Sequence, residues 1–165
     1  MTSPLLEGFP PIVGEGAHTL ILGNMPGAIS LAAGQYYANT RNAFWQIMGD
    51  VFGFDPREPY NHRVAELVHR GIAVWDVLQS CRRVGSLDAA INPNSMVIND
   101  FEMFFTHNPG VSAVFFNGAA AEKNFTKLAN VEHPGGVRLP STSPAHAIPY
   151  PRKLAAWRVI APEET

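Results

Sequence analysis

Four short apolar runs, each stopped at its carboxyl end by Gly, Pro, Asp or Asn, constrain this chain more than any other feature. They are His18-Thr19-Leu20-Ile21-Leu22-Gly23, Ile72-Ala73-Val74-Trp75, Val111 to Phe116, and Val137-Arg138-Leu139. Runs of this length without strict alternation read as strands buried on both faces. Stretches with helical spacing lie between them. Arg41 to Phe52 repeats Phe44, Ile47, Met48 and Val51 on one face, and Tyr60 to His69 carries Val64, Leu67 and Val68. A short helix is expected from a cap at Asn99 or Asp100 through Phe105, another over Ala119 to Leu128, and a last one over Pro151 to Ile160. Strands that alternate with helices predict an α/β fold: three αβα layers around a central, four-stranded, mostly parallel sheet.

In sheets of this kind, ligands sit at the carboxyl ends of the strands. Here those ends are Gly23-Asn24-Met25-Pro26-Gly27, Trp75-Asp76, Asn117-Gly118 and Pro140-Ser141-Thr142-Ser143-Pro144, all rich in polar residues, Gly or Pro. They are expected to line one cleft. The 165 residues fit a single domain, 1–165, and 46% hydrophobic with 16% charged residues is a globular composition. Cys81 stands alone, which excludes a disulfide framework, a Cys-rich zinc site and a four-cysteine iron–sulfur cluster within the chain. His133 and His146 have no companions at ligand spacing, so no metal and no cofactor is expected. No apolar stretch approaches the roughly 20 residues of a membrane span. The expectation is a cytoplasmic protein with no membrane partner.

Taken together, the loops resemble the uracil-DNA glycosylase superfamily, and within it the hypoxanthine-DNA glycosylase branch (family 6). The resemblance rests on Leu22-Gly23-Asn24-Met25-Pro26-Gly27, Ser30-Leu31, Gln35-Tyr36-Tyr37-Ala38, and Arg41-Asn42-Ala43-Phe44-Trp45. It continues through Val74-Trp75-Asp76-Val77-Leu78, Gly85-Ser86-Leu87-Asp88, Phe116-Asn117-Gly118 and Leu139-Pro140-Ser141-Thr142-Ser143-Pro144-Ala145. It implies a monofunctional DNA repair glycosylase that flips a deaminated nucleotide out of DNA and hydrolyses its N-glycosidic bond, hypoxanthine foremost. The partner is DNA carrying deaminated bases, and a monomer suits that task.

Two departures matter. Branches that remove uracil commonly carry Asp or Asn before the motif proline, where this chain has Met25, and His at the start of the last motif, where it has Leu139. The hypoxanthine branch has an Asn in its Arg-Asn-x-Phe-Trp segment, which places the water-positioning role on Asn42, with Asn39 second. Asn cannot act as a strong base, but its carbonyl can hold a water beneath C1′. Asn42 near a helix start is also a common cap.

The base pocket implied by the resemblance is Gly23, Asn24, Met25, Pro26, Gly27, Phe44, Asp76 and Asn117. Asn117 is expected to satisfy N1–H and O6 of hypoxanthine, with backbone N–H groups near Met25 on O6, and Phe44 to stack on the base. Gly27 leaves room for a purine. Asp76 reads either as a group that accepts N1–H or as a plain turn residue. Ser141, Thr142, Ser143, Pro144 and Ala145 are expected on DNA, beside a basic stretch of Lys123, Lys127, Arg138, Arg152, Lys153 and Arg158 against the single acid Glu132. The alternatives are a uracil or mismatch glycosylase, a non-catalytic nucleic-acid binder and a small-molecule hydrolase. No lysine occurs in the motif loops to support a Schiff-base step, and no Gly-x-Ser-x-Gly elbow is present.

Overall fold

The computed structural model describes residues 3–161; residues 1–2 and 162–165, within the expected single domain, lie outside them. In chain order the elements are β1 (Leu5–Glu7), β2 (Thr19–Gly23), α1 (Ala28–Ala33), α2 (Phe44–Phe52), α3 (Tyr60–His69), β3 (Ile72–Asp76) and β4 (Leu78–Arg82). There follow β5 (Val97–Ile98), α4 (Phe101–His107), β6 (Ala113–Asn117), α5 (Ala119–Leu128), β7 (Gly136–Leu139) and α6 (Tyr150–Trp157).

The main sheet is four-stranded and wholly parallel, in the order β3-β2-β6-β7, with helices flanking it. All five residues of both β2 and β3 are buried, which is why they read as unbroken apolar runs. β7 lies on the edge and is largely exposed apart from Leu139. Helix ends follow local chemistry. Asp100 caps α4 by accepting from the Met103 N–H at 3.0 Å, and Gly53 ends α2 with a left-handed backbone at φ 82°.

Three expectations are corrected. Helix α2 starts at Phe44 rather than Arg41, so Asn39 and Asn42 stand on the loop before it. Helix α1, right after the Pro26-Gly27 turn, was not anticipated. A second, antiparallel sheet in the order β1-β4-β5 was missed as well. Its strands have two to five residues, too few for a period to show. This second sheet shapes the cleft. The chain passes from β3 into β4 through Val77, whose N–H donates to the Gly23 carbonyl at 2.8 Å, while Leu78 N–H donates to that of Asn24 at 3.0 Å. Residues 83–88 are thereby brought back over the Pro26 turn. Arg83, only 1% exposed, donates from Nη2 to the Pro26 carbonyl at 2.7 Å and from Nε to that of Gly85 at 2.8 Å.

Candidate active site

The carboxyl ends of β2, β3, β6 and β7 meet at a cavity of about 230 Å³. That is below the roughly 300–1,000 Å³ of drug-sized ligand sites and suits one base. Gly23, Asn24, Met25, Pro26 and Gly27 form one wall, Ser141 to Ala145 face it, and Asn39, Asn42, Asp76 and Asn117 also line it. Met25, buried at this wall, supplies it with an apolar surface.

Phe44 does not line the cavity. It is wholly buried beneath Tyr37, whose ring stacks on it with centroids 4.0 Å apart and planes at 23°. The aromatic groups at the cavity are therefore Tyr36 and Tyr37, to which the sequence pattern had assigned no role, and Tyr37 is the one stacked on Phe44. Tyr37 is also the one non-glycine residue with positive φ (55°) among the described residues. Such a backbone is costly for a bulky residue and persists where its surroundings over-determine it. Phe44 backs the ring, and Asn117 Nδ2 donates to its hydroxyl at 3.1 Å.

Asn117 is likewise corrected. Its Nδ2 also donates to Thr142 Oγ1 at 2.9 Å, and its Oδ1 accepts from the Thr142 N–H at 2.9 Å. Both amide hydrogens are occupied, so the side chain ties β6 to the 140–145 loop rather than offering two edges to a base. Gly118, at φ 94°, lets this loop approach: a Cβ there would stand 3.0 Å from Ser141 Cβ. Thr142 is buried and holds the loop to the asparagine segment, its carbonyl accepting from the Ala43 N–H at 3.0 Å. Ser141 and Ser143 hydroxyls accept from the backbone at Ser143 and Ala145, yet each keeps its own hydrogen to donate.

Lys153, read from sequence as part of a basic surface, is only 5% exposed, and its Nζ donates to the Ser143 carbonyl at 3.0 Å. Trp157 Nε1 donates to the Pro140 carbonyl at 2.8 Å. Helix α6 thus clamps both ends of the loop.

Asn42 Oδ1 accepts from the Phe44 N–H at 3.0 Å, and Asn39 Oδ1 accepts from that of Arg41 at 3.0 Å. The N-cap of α2 is Ala43, so Asn42 makes a local turn bond just before the helix rather than capping it, and its amide oxygen keeps a second lone pair for the cavity. The other wall is a polar chain: Asn124 Nδ2 donates to Asn24 Oδ1 at 2.8 Å, and Asn24 Nδ2 to Asp88 Oδ1 at 3.0 Å. Asp88, Ser86 and Leu87 line the cavity too, and sequence had given them no role. Asp76 is 4% exposed, and its Oδ2 has no hydrogen-bond partner among the described residues. Burial, then the Asp88 charge, push its carboxyl up to about 7, against a smaller opposing pull from Arg83. Gly23 makes room for this arrangement, since a Cβ there would lie 2.5 Å from Asp76 Oδ1 and 2.8 Å from Tyr37 Oη.

Among the described residues no group of three or more His, Cys, Asp or Glu side chains is placed to hold a metal ion, and no helix is long and apolar enough to cross a membrane. The family model for the uracil DNA glycosylase superfamily matches residues 10–163. A protein of Methanosarcina barkeri named hypoxanthine DNA glycosylase is 35% identical over 113 residues, covering 68% of this chain and 70% of the relative. One of the same name from Methanosarcina acetivorans is 31% identical over 155 residues, covering 93% of this chain and 96% of its own. The solution NMR structure of a candidate uracil DNA glycosylase from Methanosarcina acetivorans superposes with a TM-score of 0.82 at 30% identity, covering 95% of this chain and 96% of that one. Strand-end loops converging on a cavity of base size agree with that match: this chain belongs to the uracil DNA glycosylase superfamily.

Proposed function

We propose that this chain is a monofunctional DNA glycosylase that releases deaminated bases from DNA, hypoxanthine foremost. The observation that carries this reading is the cavity itself, where Asn42 and Asn39, the tyrosine face and an unpartnered carboxyl converge while Met25 stands in place of an acid. Two relatives named hypoxanthine DNA glycosylase, at 31% and 35% identity, support the choice of base.

The flipped base stacks on Tyr37, held rigid by Phe44 behind it. Asn42 accepts a hydrogen bond from water and holds it beneath C1′, with Asn39 as its neighbour. As the C1′–N9 bond breaks, its electron pair leaves with the base. The water oxygen then bonds to C1′, and the water proton ends on the released base. The sugar passes through oxocarbenium character, so the work of the site is positioning and charge stabilisation rather than strong base catalysis. No lysine is among the residues lining the cavity, so no Schiff-base step follows base release. DNA rests on the 141–145 loop, whose serine hydroxyls and backbone meet the phosphates.

The test is strand cleavage after alkali, on matched duplexes carrying one deoxyinosine or one deoxyuridine. Cleavage at inosine is expected, and Asn42→Ala is expected to lower it by about a hundredfold while leaving DNA binding intact. Cleavage at uridine alone would transfer the specificity to uracil. Full activity in Asn42→Ala would move the water to Asn39.

A further inference from the structure

We propose that Asp76 works as a neutral acid: its carboxyl O–H donates a hydrogen bond to the exocyclic carbonyl oxygen of the flipped base, O6 of hypoxanthine, and stabilises the charge that collects there as the base leaves. This deepens the glycosylase reading of the same cavity and rests on it.

The geometry points to the neutral form. Asp76 is only 4% exposed, lines the cavity, and keeps its Oδ2 buried with no hydrogen-bond partner among the described residues. Unpartnered buried polar atoms are rare and ask for a reason. The groups around it offer an ionised carboxylate little. From the loop after β4, Asp88 adds a second carboxylate to the same cavity. Arg83, at the end of that strand, directs Nη2 and Nε to backbone carbonyls, and no salt bridge to Asp76 forms among the described residues. From the loop before α2 come two buried tyrosine hydroxyls, Tyr36 and Tyr37, both pushed upward by burial and then by Asp76 itself. Neighbouring β2 and β6 contribute only Gly23 and the fully engaged amide of Asn117. A charge here would be buried with only the distant guanidinium of Arg83, whose Nη1 has no hydrogen-bond partner, to offset it, so the neutral carboxyl is the cheaper form.

The chemistry points the same way. The departing base carries negative charge, which an ionised Asp76 would oppose and an O–H donor would stabilise in the transition state more than in the ground state. Entry of the base also removes remaining water, which favours the neutral acid further. The raised carboxyl already described is what this arrangement requires at neutral pH.

Asparagine has the same donor and acceptor as a neutral carboxylic acid but no proton to lose near neutrality, which gives the test. Hypoxanthine release from a deoxyinosine duplex is followed in single turnovers from about pH 5.5 to about 8.5, a range that brackets neutrality. The wild-type rate is expected to fall as pH rises through about 7. Asp76→Asn is expected to stay within about tenfold of wild type at the acid end and to lose that alkaline fall. Asp76→Leu, branched at Cγ like aspartate but without a donor, is expected to lose about a hundredfold at every pH. Asp88→Asn keeps an acceptor for Asn24 and removes a neighbouring charge, so its alkaline fall should begin at lower pH. A wild-type rate that rises through this range, or an alkaline fall that persists in Asp76→Asn, would overturn the proposal while leaving the glycosylase intact. Absence of base release from every form at every pH would overturn the glycosylase reading and this one with it.

Discussion

At the scale of single residues, a functional group held against its own preference leaves a trace in stability. Asp76 keeps its proton in the folded protein up to about pH 7. An unfolded chain has lost that proton by about pH 4. Between those two values the folded state binds more protons, so folding stability from this group falls as pH rises and levels off above about 7. The cost at pH 8 is at most about 4 kcal/mol for a shift of this size. Asp76→Asn should therefore be more stable than wild type at pH 8, by up to about that amount. The difference should vanish near pH 4. Denaturant melts at the two pH values check this. Equal stability at both would show that Asp76 is ionised in the fold without penalty. A variant that is more stable yet loses pH control of catalysis would fit the usual tension between a site and its scaffold.

At the scale of elements, the site depends on contacts that tie one loop to another. Lys153 and Trp157 on α6 hold the 140–145 loop by its carbonyls, and Thr142 passes the restraint to the asparagine segment. Lys153→Met keeps the apolar stem of this buried side chain and leaves the Ser143 carbonyl without its donor, at a cost of about 1–3 kcal/mol. With DNA resting on this loop as proposed, KM for duplex is expected to rise severalfold while kcat changes less; the opposite split, measured in steady state, would place Lys153 in the chemistry. Such ties explain what a sequence can and cannot disclose. The strands of the main sheet were legible because both faces are buried, as the runs at 19–23 and 72–76 show. The cleft was legible because parallel strands put all their carboxyl ends on one side. What stayed hidden is non-local. Asn117 looks free to read a base until Thr142, 25 residues on, is found to occupy its amide. Tyr37 and Phe44 are both aromatic and close in sequence, and only the packed fold shows that Tyr37 faces the cavity while Phe44 is buried behind it. Asp88 reaches the site because β4 carries its loop back over Pro26, and that second sheet has no period to read.

At the scale of the whole molecule, a net charge of −2 gives DNA no general attraction, so binding must rest on few local cations. The structure thins the basic stretch that the sequence displays. Arg138 lies 3.8 Å from Glu122, and Lys153 is buried under the loop. Lys123, Lys127, Arg152 and Arg158 remain exposed. Each phosphate neutralised adds about −0.9 to the slope of log affinity against log salt on duplex DNA, so four such contacts give at most about −3.6. Titrations of a deoxyinosine duplex over a range of salt concentrations should find a slope no steeper than this. Arg152→Gln, on the helix that clamps the 140–145 loop, should make it shallower by about one phosphate contact and weaken inosine-bearing and undamaged duplexes alike. Recognition of the damage would then lie almost wholly in the cavity, since contacts to phosphate carry no information about the base. A slope much steeper than −3.6 would mean that cations outside this stretch, with Arg41 beside the two asparagines the first to examine, carry the duplex.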